Sequence, residues 1–90
     1  MSAIDRVALP DHVMSRQLGE ECVMLDLDSG TYYGLDAVGT RVWQLFGEGR
    51  SVAEACAAIA AEYDAPREAV EADVARLVQE LAANGLLVAA

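Results

Sequence analysis

The sequence contains no lysine, and its six basic residues are all arginine. They stand against 15 acidic residues, so the formal net charge is -9 at pH 7. Nucleic-acid-binding proteins draw much of their affinity from basic side chains that neutralise phosphates, and an acidic protein is repelled by phosphates. The composition therefore argues against a nucleic-acid partner and against an anionic membrane, and it favours a basic or apolar partner.

Long apolar segments are also missing. No stretch approaches the ~20 apolar residues that cross a bilayer, and the N-terminal sequence MSAIDRVALPDHV lacks the apolar centre of a signal peptide. Hydrophobic residues make up 54% of the chain, but many of them are alanines between Ala53 and Ala83, which add little buried area. We therefore expect a soluble cytoplasmic protein, without a membrane partner, that forms a single domain over residues 1–90.

Residues that carry catalysis or hold a metal ion are scarce. His12 is the only histidine, and Cys22 and Cys56 lie far apart without Cys-x-x-Cys spacing, which favours two buried hydrophobic cysteines. The stretch that starts at Asp26 begins like a calcium loop, but its sixth and twelfth positions are threonine and alanine, where such a loop needs glycine and glutamate. Phosphate-binding loops and Gly-x-Ser-x-Gly motifs are absent. We therefore predict no catalytic residue, no metal site and no cofactor, and hence no enzyme.

A strand pattern that runs directly into a helix pattern is the clearest signal in the chain. Residues 12–18 are weakly strand-like, and residues 22–27 alternate with the period of two that is typical of strands. Asp28-Ser29-Gly30 supplies the chemistry of a tight turn. Residues 31–35 then alternate again and are rich in β-branched and aromatic side chains. The sequence therefore predicts three antiparallel strands, the last two forming a hairpin.

Three helix patterns follow the strands. Asp36 is a suitable N-cap for the first helix, in which Val38, Val42 and Leu45 form an apolar stripe flanked by Trp43 and Phe46. We interpret these five side chains as core residues. Gly47 and Gly49 are predicted to end this helix.

The second and third helices carry their own boundary signals. Ser51 and Glu54 match a capping box at the start of the second helix. Pro66 suits the first turn of the third helix, which Asn84-Gly85 would end. Strands followed by helices indicate an α+β fold, a three-stranded antiparallel sheet followed by three helices on one face, with residues 1–10 as a loose N-terminal arm.

Two kinds of binding protein fit this architecture. Three helices and a hairpin can form a winged helix-turn-helix, the fold of many nucleic-acid-binding transcription regulators. Here the recognition helix would carry Glu68, Glu71, Asp73 and Glu80 against only two arginines, which phosphates would repel. The alternative is capture of an extended peptide on an edge strand, where unpaired N–H and C=O groups bind its backbone and a helix walls the groove.

The sequence also resembles a known family. The stretch LDLDSGTYYGLDAVGTRVWQLF, with its aliphatic strand, DSG turn, YYGLD strand end and paired Gly39 and Trp43, is similar to the PqqD-like family, also called RiPP recognition elements. SVAEACAAIAAEYD and DVARLVQELAANGLL resemble that family's second and third helices. The resemblance covers roughly residues 9–88.

The resemblance implies a winged-helix-like fold without DNA binding. It also implies a function as a peptide chaperone, which holds the leader of a ribosomally made precursor peptide while a partner enzyme modifies or cuts the rest. The standalone form resembles the adaptor of lasso-peptide biosynthesis, which works with a separate leader peptidase, and also versions that serve radical-SAM modifying enzymes.

In that family the leader adds as a strand beside the third strand and packs on the third helix. This binding mode, combined with the apolar face of the third helix, predicts the contact residues. On the third strand they are Thr31, Tyr32, Tyr33, Gly34 and Leu35, and on the third helix Val70, Asp73, Val74, Leu77, Glu80 and Leu81. Alternation along the strand predicts that Tyr33 packs inward and Tyr32 points outward. Asp73 and Glu80 flank Leu77 on one side of the helix, so we expect a leader lysine or arginine near them.

Overall fold

The structure, a computed structural model, describes residues 5–89. The strands are β1 (Val7–Ala8), β2 (Val13–Leu18), β3 (Glu21–Asp26), β4 (Tyr32–Leu35) and β5 (Val88–Ala89), and the helices are α1 (Ala37–Gly47), α2 (Val52–Tyr63) and α3 (Arg67–Ala83). Strands β2, β3 and β4 form an antiparallel sheet in that order. The predicted α+β fold, a three-stranded antiparallel sheet followed by three helices, is confirmed.

Helix α1 is the element around which the others pack. It contacts β3 and β4 of the sheet and both other helices. On its inner side Val42, Trp43, Leu45 and Phe46 are buried, as predicted, because they form the apolar stripe that meets the sheet and helices. Trp43 and Phe46 therefore help to build the core that joins the two layers.

The connection from β4 to α1 is a single residue, Asp36. Its backbone is extended, and its carboxylate accepts a hydrogen bond from the Gly39 N–H at 2.8 Å, so it caps the helix as predicted. A Cβ atom on Gly39 would lie 3.2 Å from Asp36 Oδ1 and 3.4 Å from a methyl carbon of Leu35. Gly39 is therefore the residue that lets the chain turn this tightly from strand into helix.

Most other predicted boundaries are also found, although Pro66, predicted in the first turn of α3, is the residue just before that helix. Gly30 has a φ of 74°, which the turn between β3 and β4 requires and glycine adopts readily. Ser51 Oγ accepts from the Glu54 N–H at 3.1 Å and the Glu54 carboxylate accepts from the Ser51 N–H at 2.8 Å, which completes the capping box of α2. Helix α3 ends at Ala83, just before Asn84-Gly85.

The two cysteines are buried, as the sequence indicated, and the structure shows both as free thiols. Cys22 lies on the inner face of β3, and Cys56 lies on the buried side of α2. Burial raises the pKa of both thiols, which keeps them protonated near neutral pH and makes them poor nucleophiles.

The loose arm predicted for residues 1–10 needs a correction. Val7–Ala8 form β1, which pairs antiparallel with β5 at the other end of the chain. The carbonyl of Asp5 also accepts from the Val52 N–H at 2.6 Å, so this segment is held at the start of α2. Backbone pairing to a distant segment leaves no local pattern in the sequence. Residues 1–4 of the predicted arm lie outside the described residues.

No helix within residues 5–89 has both the length and the apolar character needed to span a bilayer.

The cap at Asp36 gives a first testable prediction. Asp36→Ala should lower the free energy of unfolding by about 1 kcal/mol, because the Gly39 N–H loses its acceptor. In a domain of this size that corresponds to a fall of roughly 4–8 °C in melting temperature. Asp36→Asn keeps an acceptor oxygen and should stay close to wild type in thermal unfolding followed by circular dichroism. Equal losses in both variants would contradict a capping role.

Candidate functional site

A groove of about 420 Å³ lies between strand β4 and helix α3. One wall is β4, the other is the exposed side of α3, and the first two turns of α1 lie beneath them. The groove is lined by Tyr33, Gly34, Leu35, Asp36, Val38, Gly39, Val42, Asp73, Val74, Arg76, Leu77 and Glu80. Its deepest residues are aliphatic, and its rim is polar.

Strand β4 is an edge strand. In the three-stranded sheet it pairs with β3, and within residues 5–89 no strand pairs with its other side. Its outer backbone groups are therefore open along the groove, and such groups readily accept another strand.

The strand register shows which backbone groups face that open edge. The Asp26 N–H donates to the Thr31 carbonyl at 2.9 Å, and these two residues oppose each other where the hairpin closes. Opposed residues of an antiparallel pair alternate between hydrogen-bonded and non-hydrogen-bonded pairs. Tyr33 and Leu35 therefore direct their N–H and C=O groups toward β3, whereas Tyr32 and Gly34 direct theirs toward the open edge.

The walls of the groove are joined at one end by a hydrogen bond. The Tyr33 hydroxyl donates to Glu80 Oε2 at 2.6 Å, which links β4 to α3. This hydrogen bond, together with partial burial and the negative charges of Glu80 and Asp36, raises the pKa of Tyr33 above its usual value. Tyr33 is half-buried and packs against the core, as predicted, whereas Tyr32 is 69% exposed on the other face.

The rim of the groove is acidic. Asp36, Asp73 and Glu80 contribute three carboxylates, and Arg76 contributes one guanidinium. Arg76 Nη2 lies 2.6 Å from Asp73 Oδ1, which belongs to the residue three positions earlier in α3. The guanidinium charge is therefore paired with a carboxylate of the same helix. Both members of the pair are well exposed, which makes it weak and easily exchanged for another partner.

Seven of the eleven contact residues expected from the sequence are brought together in the groove. They are Tyr33, Gly34 and Leu35 on β4 and Asp73, Val74, Leu77 and Glu80 on α3. Of the four α3 residues in this group, Leu77 is half-buried, and its side chain lies between the core and the groove. These seven remain proposed peptide contacts.

Four expected contact residues do not line the groove. Val70 and Leu81 are buried in the core, because the apolar face of α3 is divided between the interior and the groove and they lie on the interior side. Thr31 is engaged in the hairpin turn, where its N–H donates to Ser29 Oγ at 3.3 Å and its hydroxyl oxygen accepts from the Ser29 hydroxyl at 3.0 Å. Tyr32 points its side chain to the outer face of the sheet, although its backbone faces the open edge.

Five residues of the groove were not expected from the sequence: Asp36, Val38, Gly39, Val42 and Arg76. Val38 also corrects a core prediction, because it is 40% exposed in the first turn of α1, where it faces the groove. The sequence feature that could have predicted the groove residues of α1 is the single-residue connection at Asp36. It places the first turn of α1 directly beside the strand that forms the groove.

A histidine and two aspartates also lie together, away from the groove. Ligand atoms of His12, Asp26 and Asp28 lie within 4.8 Å of one another. His12 Nε2, however, lies 3.1 Å from the Gly85 carbonyl, to which it donates, and Asp26 Oδ1 accepts from the N–H groups of Asp28 and Ser29. These atoms hold the hairpin turn and the end of α3 in place, which accounts for their arrangement without a metal ion.

Comparison with known proteins identifies relatives that match most of the chain. The sequence model of the family described as coenzyme PQQ synthesis protein D (PqqD) matches residues 21–87. The chain is 33% identical over 87 residues to the PqqA binding protein of Bradyrhizobium diazoefficiens, a match that covers 97% of this chain and 84% of that protein.

Two solved structures have the same fold. TbiB1 in complex with the TbiA(beta) leader peptide is 44% identical, with a TM-score of 0.85 over 88% of this chain and 92% of that chain. Lasso peptide synthetase B1 complexed with the leader peptide is 29% identical, with a TM-score of 0.85 over 92% of this chain and 98% of that chain.

The bond between Tyr33 and Glu80 can be tested by titration. A variant with Tyr32→Phe and Tyr63→Phe keeps Tyr33 as its only tyrosine. Its absorbance should titrate above the usual pKa of about 10, and Glu80→Ala should lower that midpoint. Because the folded-state pKa is raised, the stability from this bond is fully present below the usual tyrosine pKa and is lost as pH rises through the raised value.

The control for this titration is Glu68→Ala, which removes an exposed acid from the start of the same helix. It should leave the midpoint of Tyr33 unchanged. An equal shift in both variants would mean that overall charge, and not the bond across the groove, sets the pKa.

Proposed function

The chain belongs to the PqqD family, and from this premise we propose that it binds the leader segment of a ribosomally synthesised precursor peptide by strand addition to β4. In this proposal the chain is an adaptor and not itself an enzyme. It presents the bound precursor in the cytoplasm to a separate leader peptidase or to a radical-SAM-type modifying enzyme. The product would be a peptide natural product of the lasso type.

The observation that carries the proposal is the open edge of β4 beside an apolar groove. Tyr32 and Gly34 offer backbone donors and acceptors to an extended peptide, which gives affinity with little dependence on sequence. Peptide side chains on the inner face of such a strand would enter the groove toward Val38, Val74 and Leu77. Apolar leader residues at alternate positions would then be selected.

The relatives support this proposal. One is described as a PqqA binding protein, and two others were solved with leader peptides bound. The matches cover 88–97% of this chain, and the family model spans residues 21–87, which include β4 and α3.

The charges on the rim suggest what else a leader should carry. Glu80 and the pair of Asp73 with Arg76 lie along the α3 side of the groove. A leader lysine or arginine could replace Arg76 as the partner of Asp73 at little cost, because exposed pairs of this kind contribute only ~0.2–1 kcal/mol. We propose that such a residue tunes the fit, while the backbone and apolar contacts supply most of the affinity.

The nucleic-acid-binding alternative finds no support in α3. Its two arginines both pair with acids of the same helix, Arg67 with Glu71 at 3.1 Å and Arg76 with Asp73 at 2.6 Å. A phosphate would have to compete with these carboxylates in a chain of net charge -9.

Amide hydrogen exchange measured residue by residue tests where the peptide binds. The probe is a synthetic TbiA(beta) leader peptide, because TbiB1, which is 44% identical to this chain, was solved in complex with that leader. Binding should slow exchange most at the Tyr32 and Gly34 amides, because these face the open edge, and less at Tyr33 and Leu35, which are already bonded to β3. Protection confined to β2 or α2 would contradict strand addition to β4.

Truncation of Leu77 tests the helical wall. Leu77→Ala should weaken binding of the same leader about tenfold, or ~1.4 kcal/mol, because a half-buried wall residue loses contacts with the peptide. The matched control is Val70→Ala on the same helix, which is buried in the core and should lower the melting temperature more while leaving the affinity of the folded protein within about twofold. Calorimetric titration and thermal unfolding measure both quantities. Normal binding by Leu77→Ala would remove this wall from the site.

A further inference from the structure

Gly34 is a glycine for which the fold itself gives no reason. It lies inside β4, where glycine weakens a strand because it adds backbone freedom and no side-chain contacts. Its φ is not among the positive values found in the chain, so its backbone conformation is open to any residue. A Cβ atom at this position would meet no atom of the described part of the chain within 4 Å.

Gly39 shows what a glycine needed by the fold looks like. A Cβ there would press on Asp36 Oδ1 at 3.2 Å, so the chain's own packing excludes a side chain. At Gly34 no such neighbour exists among residues 5–89. Glycine within a strand often marks a place where a ligand or another backbone approaches closely. The absence of a side chain at Gly34 therefore leaves space for a ligand or for the backbone of another chain.

The surroundings of Gly34 define the shape of that room. Gly34 opposes Val23 on β3, and Val23 opposes Arg16 on β2, so the three form one row across the sheet. Cys22 and Met24 are buried on the inner face, so Val23 and Gly34 lie on the outer face. Tyr32, on the same face, is 69% exposed. Gly34 is thus a gap in an apolar surface, next to the open edge of β4.

We propose that Gly34, with Val23 and Tyr32, forms a second peptide subsite on the outer face of the sheet, which accepts an aromatic side chain of the leader residue paired with Gly34. The proposal rests on the proposed strand addition to β4 and specifies what that strand must carry. The backbone of Gly34 faces the open edge, so the paired leader residue would form hydrogen bonds to it and direct its side chain to the outer face.

An aromatic ring suits this subsite for physical reasons. Lying across Gly34, the ring would cover exposed backbone, reach the side chain of Val23 and border Tyr32. Aromatic and β-branched side chains form favourable pairs across neighbouring strands, and an aromatic residue opposite glycine is a known means of stabilising an edge. The leader would then be selected on both faces of the sheet: by apolar residues toward the groove and by an aromatic residue at an intervening position.

Peptide display tests this subsite directly. Random peptides are selected on the wild-type chain, and each aromatic residue of the enriched peptides is then replaced by alanine. In the wild type one such replacement should weaken binding about tenfold, which corresponds to ~1.4 kcal/mol. In Gly34→Val the same replacement should cost less than about twofold, because a branched side chain fills the gap. The melting temperature of Gly34→Val should equal or exceed that of the wild type, since a β-branched residue favours a strand.

The matched control is Arg16→Val, which adds an apolar side chain in the same row on the other edge strand. It should keep the tenfold preference for the aromatic residue. The proposal is overturned if Gly34→Val retains that preference while its β4 amides are still protected by the peptide. If the wild-type chain enriches no peptide, or only peptides that leave the Tyr32 and Gly34 amides unprotected, strand addition itself is wrong and the subsite is rejected with it.

Discussion

The single-residue connection at Asp36 is the constraint on which the rest of the structure depends. Because β4 ends at Leu35 and α1 begins at Ala37, the first turn of the helix must lie beside the edge strand. The bond from the Gly39 N–H to the Asp36 carboxylate fixes that direction. Helix α1 then contacts both the sheet and the other helices, so the position of α3 opposite β4, and with it the width of the groove, follows from this turn.

An open edge strand is a hazard for a small protein, since it can pair with a second copy of itself. Here the open edge of β4 lies beside Asp36, Asp73 and Glu80, and the chain as a whole carries a net charge of -9. Two copies that approached edge to edge would bring these carboxylates together, which like charges oppose. The same charges do not oppose a neutral or basic peptide. The acidic composition is therefore consistent with an edge kept available for a different partner.

How much could be predicted from the sequence depended on the range of each interaction. The cap at Asp36, the turn at Gly30 and the C-terminal ends of α1 and α3 are set by neighbouring residues, and all were predicted correctly. The pairing of β1 with β5 joins the two ends of the chain and was missed. Val38 and Val70 show the same limit within helices: periodicity identified an apolar face, but only the packing of α1 and α3 decides which part of that face meets the core and which meets the groove.

The register of β4 gives alternate residues of this edge strand different orientations. Tyr33 and Leu35 direct their backbone groups to β3 and their side chains to the inner face, where Tyr33 reaches Glu80. Tyr32 and Gly34 direct their backbone groups to the open edge and their side-chain positions to the outer face. A shift of one residue would exchange these roles, placing Tyr32 in the interior and leaving Leu35 exposed. The burial of Leu35 and Met24 therefore fixes, at the same time, the core of the protein and the two residues whose backbone groups face the open edge.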